Sequence, residues 1–481
     1  MKNIALSKTN SIDNNLSIVV IGKKSEPLDL VFLSEAEKNY LKQKEEAGSS
    51  FIVINQYIRL VIVARIDTSK AVFEQLEEAR GMGNRAQAEL IEGKYNQALI
   101  YHLFDEKETL LALAEGFLLG AYRFSKYFTK ESAKEQSVEQ LFVYSQCVRE
   151  KELTELSNIV DAVYVARDMV NEPVSELNAE KLAQTIEEHC TSAGCKVEIL
   201  DKAKIEALKM GGLLAVNKGS IDPPSFTIVE WKPDNAVNTQ PIVLVGKGIV
   251  YDTGGLSLKP TGDSMDYMKS DMSGAAIVAG VMKAAAANKL PLYLVALAPA
   301  TDNRPSGNAY APGDVVTISN GTTVEVLNSD AEGRMILADA LVFAKKYNPQ
   351  LVIDLATLTG AASVAIGPYA LVAMGTASEE VKRRLNESAF RVFERMVEFP
   401  LWAEYGELIK SDIADLKNVG GKYAGAITAG KFLEHFTDYP WMHFDIAGVA
   451  FNKSKDSYRV KGGTGFGLRL LYDFLKKEAA K

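Results

Sequence analysis

Apolar positions early in the chain follow two patterns. LSIVVIG and YIRLVIVARI have the length and β-branched content of strands, whereas VFEQLEEARGMGNRAQAELIEG spreads its apolar residues at helical spacing. Together they predict a small N-terminal α/β domain over 1–150. In ELTELSNIVDAVYVARDMVNEP, residues Leu153, Leu156, Ile159, Val160, Val163 and Val170 recur at mostly three- and four-residue steps until Pro173 stops the pattern. That spacing predicts a linker helix over 151–174. Strand-like runs (KVEIL, FTIVEW, IVLVGKG, LYLVALAPA, LVIDLATL) then alternate with helical ones (AAIVAGVMKAAAANK, RMILADALVFAKKY). The expected fold is therefore α/β in two domains, the larger one over 175–481 with a central mixed sheet flanked by helices.

One strand carries an anomaly. PIVLVGKGIVY reads as sheet interior, yet it contains Lys247, and an unpaired ammonium there is costly. Asp252, Lys259 and Asp271 follow among glycines in YDTGGLSLKPTGDSMDYMKSDM. Taken singly, a lysine or aspartate beside glycine is usually a solvated turn residue.

The stretch NSDAEGR, Asn328 to Arg334, admits two readings. Ser329 and Glu332 stand at capping-box spacing before a helical run from Met335 to Tyr347. Against this, Gly333 lowers helix propensity and Arg334 sits near the positive end of the helix dipole. A turn or extended conformation would instead aim Asp330 and Glu332 to one side, as oxygen donors for a divalent metal. With Lys247, Asp252 and Asp271 the inventory is one nitrogen and four carboxylates. With Lys247 neutral, their charge of about −4 matches two divalent cations.

Composition narrows the field. At 481 residues, two domains are the natural expectation, and 47% hydrophobic with 24% charged residues is a soluble globular mix. A net charge of −8 and a pI near 5.4 give no general attraction to nucleic acid or anionic membranes. Three cysteines form no CxxC pair, MKNIALSKTNSIDNN lacks an apolar core of signal-peptide length, and LLALAEGFLLGAY is too short to cross a bilayer. A cytoplasmic protein is expected. None of the four histidines falls in a metal-ligand spacing, His102 and His443 read as core or edge residues, and neither a GxSxG elbow nor a Walker loop occurs.

These motifs resemble the leucyl aminopeptidases, also called cytosol aminopeptidases, of the M17 metallopeptidases. NSDAEGR is similar to their signature NTDAEGR, and the likeness extends through VGKGIVYDTGGLSLK, MDYMKSDMSGAA, RPSGNAYAPGDV, DLATLTGA and WMHFDIAG. ARDMVNEP and GGLLAVNKGS are also similar, while the first 150 residues carry little resemblance. The stretch between Lys259 and Asp271 is one residue longer than in better-known members.

The resemblance implies that Lys247, Asp252, Asp271 and Glu332 hold one metal and that Asp252, Asp330 and Glu332 hold the other, zinc, manganese or a related divalent. It implies that Lys259 polarises the scissile carbonyl and that Arg334 anchors a bicarbonate acting as general base. Met268, Thr359 and Gly360 would line the substrate site, with leucine-like side chains preferred. The expected function is release of N-terminal residues from peptides by metal-activated water, in a homohexamer. The competing readings are a two-metal phosphoester hydrolase, a DNA-binding role as in some bacterial relatives, and a purely structural α/β protein.

Overall fold

A computed structural model describes residues 4–13, 15–103, 106–130 and 138–480. The chain divides into two compact units. One comprises Met1–Asp161, Arg391–Phe393 and Ser454–Val460, and the other comprises Ala162–Phe390, Glu394–Lys453 and Lys461–Lys481. The division falls inside one long helix, Glu150–Asn171.

In the first unit, β1 (Ala5–Thr9), β2 (Ser17–Lys23), β3 (Phe51–Asn55), β4 (Leu60–Ile66), β5 (Gln97–His102) and β6 (Gln140–Tyr144) form a sheet ordered β1-β6-β5-β2-β4-β3. All neighbours are parallel except β3, which runs antiparallel to β4. Its helices are α1 (Glu35–Glu46), α2 (Val72–Glu92) and α3 (Glu108–Gly120). The apolar run LLALAEGFLLGAY supplies most of α3, and the glutamate that interrupts it, Glu115, lies 2.5 Å from Arg80 of α2 in a buried ion pair. His102 ends β5 and is buried. The helix Glu150–Asn171 is α4.

The second unit is built on nine strands. Its sheet runs β16-β15-β18-β14-β9-β11-β8-β7, and β10 pairs with β11. In chain order these are β7 (Lys196–Leu200), β8 (Ser225–Trp231), β9 (Ile242–Gly246), β10 (Gly248–Asp252), β11 (Leu294–Asn303), β14 (Leu351–Ala356), β15 (Leu371–Gly375), β16 (Met396–Glu398) and β18 (Trp441–Asp445). The small strands β12 (Val315–Thr317), β13 (Thr323–Glu325) and β17 (Leu416–Lys417) make a separate sheet, as do β19 (Phe451–Asn452) and β20 (Gly462–Gly463). β9, β11, β14 and β18 are mutually parallel where they pair, while β8 and β15 run antiparallel to their inner neighbours. The large sheet is therefore mixed.

The helices that follow are α5 (Ala179–Ala193), α6 (Lys202–Ala207), α7 (Gly211–Asn217), α8 (Ser273–Ala287), α9 (Glu332–Ala344) and α10 (Gly360–Ile366). Val243 and Val245 of β9 and Val295 and Leu297 of β11 share a core with Ile336, Ala340 and Leu341 of α9. α8 also packs on β9, β11 and β14. Every residue of β9, β11 and β14 is buried, which is why these strands read as near-continuous apolar runs rather than as alternating ones.

PIVLVGKGIVY is not one strand. β9 ends at Gly246 and β10 begins at Gly248, with Lys247 at the break. The backbone N–H of Lys247 is still held, donating to Leu355 O at 3.0 Å.

Candidate metal centre and catalytic cavity

Parallel strands in open α/β sheets present their carboxyl ends as the natural place for a site. Here Lys247 follows β9, Asp252 ends β10, the loop Thr357–Gly360 follows β14, and Asp445 ends β18. Two further segments reach the same edge. Asp271 lies in a 3-10 helix, Met265–Met272, that leads into α8, and Glu332 is the first residue of α9.

Lys247 is the hub of this cluster. Its Nζ lies 2.8 Å from Asp271 Oδ2 and 2.9 Å from Glu332 Oε1, and it donates to Thr357 O at 2.9 Å. Ligand oxygens of Asp252, Asp271 and Glu332 all lie within 4.8 Å of one another, and all three residues are buried. Lys259 Nζ stands 2.9 Å from Asp252 Oδ2 and forms a second ion pair with Asp330. The lysine predicted to need a partner thus has two carboxylate partners, and the four carboxylates converge with two ammonium groups.

The electrostatics follow from crowding. Burial pulls the Lys247 ammonium down, but Asp271, Glu332 and Asp252 more than reverse this and hold it above the ordinary lysine range. Lys259 is likewise raised, by Asp252, Glu332 and Asp330 against burial. Burial drives the Asp271 carboxyl well above its usual range. Asp330 is pushed up to about 7, first by burial and then by Asp252 and Glu332, with Lys259 opposing. A site that raises carboxyl protonation in this way concentrates more negative charge than its two ammonium groups offset, as a cation-binding pocket does.

The capping-box reading of NSDAEGR is not what the chain adopts. α9 starts at Glu332, three residues before the predicted Met335, with Ala331 at the N-cap and no side-chain cap. Ser329 is used elsewhere: its Oγ donates to Gly254 O at 2.7 Å and accepts from Ser257 N at 2.8 Å. It therefore ties this turn to the DTGG loop, whose Gly254 and Gly255 have φ of +84° and +64°, conformations that strain other residues. Asp330 and Glu332 do not share a strand face. Asp330 lies in the turn and Glu332 in the first helical turn.

Arg334 has also a local explanation. It is buried, and its Nη1 donates to Asn418 O at 2.8 Å, while Nε meets no protein acceptor among the described residues. Burial lowers its pKa to about 10, with Glu332 and Asp445 opposing.

A cavity of about 660 Å³ opens over the cluster. Lys247, Asp252, Lys259, Asp271, Asp330, Glu332 and Arg334 line it, as do the predicted substrate-site residues Met268, Thr359 and Gly360. Every candidate residue read from the sequence therefore meets at one opening. No histidine lines it among the described residues; His443 is buried in β18, with Nδ1 2.5 Å from Asp354 Oδ1.

Three supporting residues escaped sequence reasoning. Asn303, at the end of β11, donates through Nδ2 to Asp252 Oδ1 at 2.9 Å and to Ser329 O at 3.0 Å, joining the two motif loops. Asp445 accepts from Thr359 Oγ1 at 2.6 Å and from the N–H groups of Leu358 and Ala447, both at 3.2 Å, fixing the loop after β14. Asn418 accepts from Leu327 N at 2.8 Å and donates to Asn328 O at 2.7 Å. The available signal was a polar residue closing an apolar strand, in TDN and in HFD, the same signal that marked Asp252.

The donor set fits a divalent cation. Glu332 Oε2 is buried with no hydrogen-bond partner among the described residues, an expensive state for a carboxylate oxygen that a cation would relieve. All candidate ligand oxygens are hard donors, compatible with several divalents.

Comparison with known proteins places the chain. The family model "Cytosol aminopeptidase family, catalytic domain" matches residues 164–472. A probable cytosol aminopeptidase of Chlorobaculum tepidum is 49% identical over 385 residues, 77% of this chain and 75% of that protein. One from Geotalea uraniireducens is 42% identical over 429 residues, 87% of this chain and 85% of that protein. Among solved structures, a variant of tomato leucine aminopeptidase superposes with a TM-score of 0.86 at 27% identity, covering 99% of this chain and 97% of that one. The bottromycin maturation enzyme BotP in complex with Mn superposes with a TM-score of 0.85 at 27% identity, covering 96% and 99%.

Proposed function

The chain belongs to the cytosol aminopeptidase family and is a metal-dependent aminopeptidase acting on peptides, and we propose that the Lys247 cluster is its catalytic centre. The observation that carries this assignment is the convergence of four carboxylates and two lysines at one opening, with Glu332 Oε2 buried and unpartnered. Lys247, on giving up its proton, would hold one divalent ion together with Asp252, Asp271 and Glu332, and Asp252, Asp330 and Glu332 would hold the other. The Mn-bound BotP structure supports manganese as one occupant, and zinc suits the same donors. When bound, such a pair supplies an acidified water and a polarised carbonyl.

The chain's own residues then have distinct tasks. Lys259, kept protonated by Asp252, Glu332 and Asp330, donates to the scissile carbonyl oxygen as negative charge develops on it. Arg334 offers its unpartnered Nε to a bicarbonate, which would supply a general base. The carboxylates would fix where the cations sit, and so where a neutral, free α-amine of the substrate can dock, which restricts cleavage to the first peptide bond. Met268, Thr359 and Gly360 receive the N-terminal side chain, an apolar one such as leucine.

We place the protein in the cytoplasm as a homohexamer with no nucleic-acid partner. The names of its relatives and the net charge of −8 support the location and the lack of a nucleic-acid partner. Among the described residues no helix is long and apolar enough to cross a membrane.

Turnover of leucine amide tests the assignment. Activity should vanish on exhaustive chelation, return with Mn or Zn, and be lost in Glu332→Ala; full activity in that variant would remove the cluster from the mechanism.

A further inference from the structure

Two aromatic rings border the same cavity and have no part in the chemistry above. Tyr267 and Phe451 line it together, stacked with ring centroids 6.1 Å apart and planes 18° from parallel. Both are half-buried. Phe451 is fixed from behind, because its backbone pairs with Gly463 in the β19–β20 ladder. Tyr267 is fixed through its own loop, the one carrying the extra residue between Lys259 and Asp271. Its hydroxyl donates to Asp263 O at 3.0 Å, and Lys453 Nζ stands 4.8 Å over its ring while reaching Asp263 Oδ1 at 2.8 Å. That ion pair is exposed and contributes little by itself. The stacked rings hold the loop.

The same lining includes several small or soft residues. Gly360, Ala447 and Ala450 leave room, and Met268 presents a thioether of the kind that packs well on ring edges. A large flat side chain placed beside the two rings would gain ring-to-ring contacts at separations of about 4.5–7 Å that a branched aliphatic one cannot make.

We propose that Tyr267 and Phe451 form an aromatic wall for the substrate's first side chain, so that peptides with N-terminal phenylalanine or tyrosine are preferred substrates of this enzyme. The proposal rests on the assignment of the catalytic centre to this cavity. It makes the two rings specificity-determining residues: they select the substrate and leave the cations and Lys259 to do the chemistry.

The experiment compares kcat/KM for phenylalanine amide and leucine amide in the metal-loaded wild type, Phe451→Leu and Tyr267→Leu. Aminoacyl amides have no second residue, so any effect belongs to the first side chain. The wild type should favour phenylalanine amide. Each variant should lower the phenylalanine-to-leucine ratio on the order of five-fold, mostly through KM, since an aromatic pair is worth about that much. Metal content and thermal midpoint, read alongside, show that each variant is folded and loaded. A ratio unchanged in both variants, or one that moves only for dipeptides varied at their second residue, overturns the aromatic wall while leaving the catalytic assignment standing. Turnover of neither amide by the loaded wild type would overturn the catalytic assignment itself.

Discussion

A methyl group on Gly333 would stand 2.6 Å from Lys247 Cε and 2.8 Å from its Nζ. The glycine that weakens the first turn of α9 is therefore the gap through which the buried lysine reaches Asp271 and Glu332.

Helix propensity and packing make opposite predictions for Gly333→Ala. Propensity alone favours alanine by about 1 kcal/mol, whereas forcing a pinned lysine aside costs about 1–3 kcal/mol. Lys247 is held at both ends of its reach, so packing should win. The variant should melt lower than wild type and bind Mn more weakly, as read by thermal denaturation and calorimetric titration; a higher melting temperature with intact metal binding would show that Lys247 moves freely.

Asn303 links Asp252 to the turn carrying Asp330, so its amide should govern how well the cations are held. Asn303→Asp keeps the shape but replaces a donor with a like charge beside Asp252. Metal affinity should fall about 10–100-fold, the usual effect of losing a residue that orients a ligand. Competition titration with a metal-binding dye measures it, and unchanged affinity would reduce Asn303 to a structural tie.

Lys247 should act as a built-in substitute for a cation. In chelated protein, Lys247→Met leaves buried carboxylates without a counter-charge, and stability should fall by about 3–5 kcal/mol. Added Mn should narrow the gap between variant and wild type in urea unfolding. A gap of equal size with and without Mn would mean that the lysine matters only for packing.

Asp339, far along α9 from the cluster, gives the clearest pH dependence. It is fully buried and accepts from Leu213 N at 3.0 Å and Ser319 N at 2.9 Å. Burial nevertheless raises its carboxyl to about 6, with those N–H groups opposing. Its folded pKa lies above the unfolded value of 3.8, so the folded state binds the extra proton. Its contribution is complete below pH 3.8 and is lost as pH rises through 6. Two pKa units correspond to about 3 kcal/mol. The stability of wild type relative to Asp339→Asn should therefore decline by roughly that amount between pH 4 and 7 in urea unfolding, and a flat difference would contradict the shift.

The parts of this fold that could be read from the chain are those whose surroundings are uniform. β9, β11 and β14 are covered on both faces, so their sequences are unbroken apolar runs. β1 (ALSKT) and β6 (QLFVY) escaped notice, because half-exposed strands are specified by the partner they pair with rather than by their own composition. The charged members of the cluster stood out locally for a similar reason: Lys247 contradicts its neighbours. Asn303 and Asp445 contradict theirs less, and their importance lies in hydrogen bonds to residues more than fifty positions away. The stretch at Ser329 admitted two readings because a hydroxyl near a helix start can serve either the helix or a neighbouring loop, and the glycine loop at Gly254 is the one it serves.

The carboxylates around Lys247 come from loops belonging to β10, to the segment before α8 and to the start of α9, and they become neighbours only when the large sheet is closed by its parallel pairings. A growing polypeptide on the ribosome therefore has no cutting edge. The hydrolytic capability arises only after the last of these segments has been made and folded.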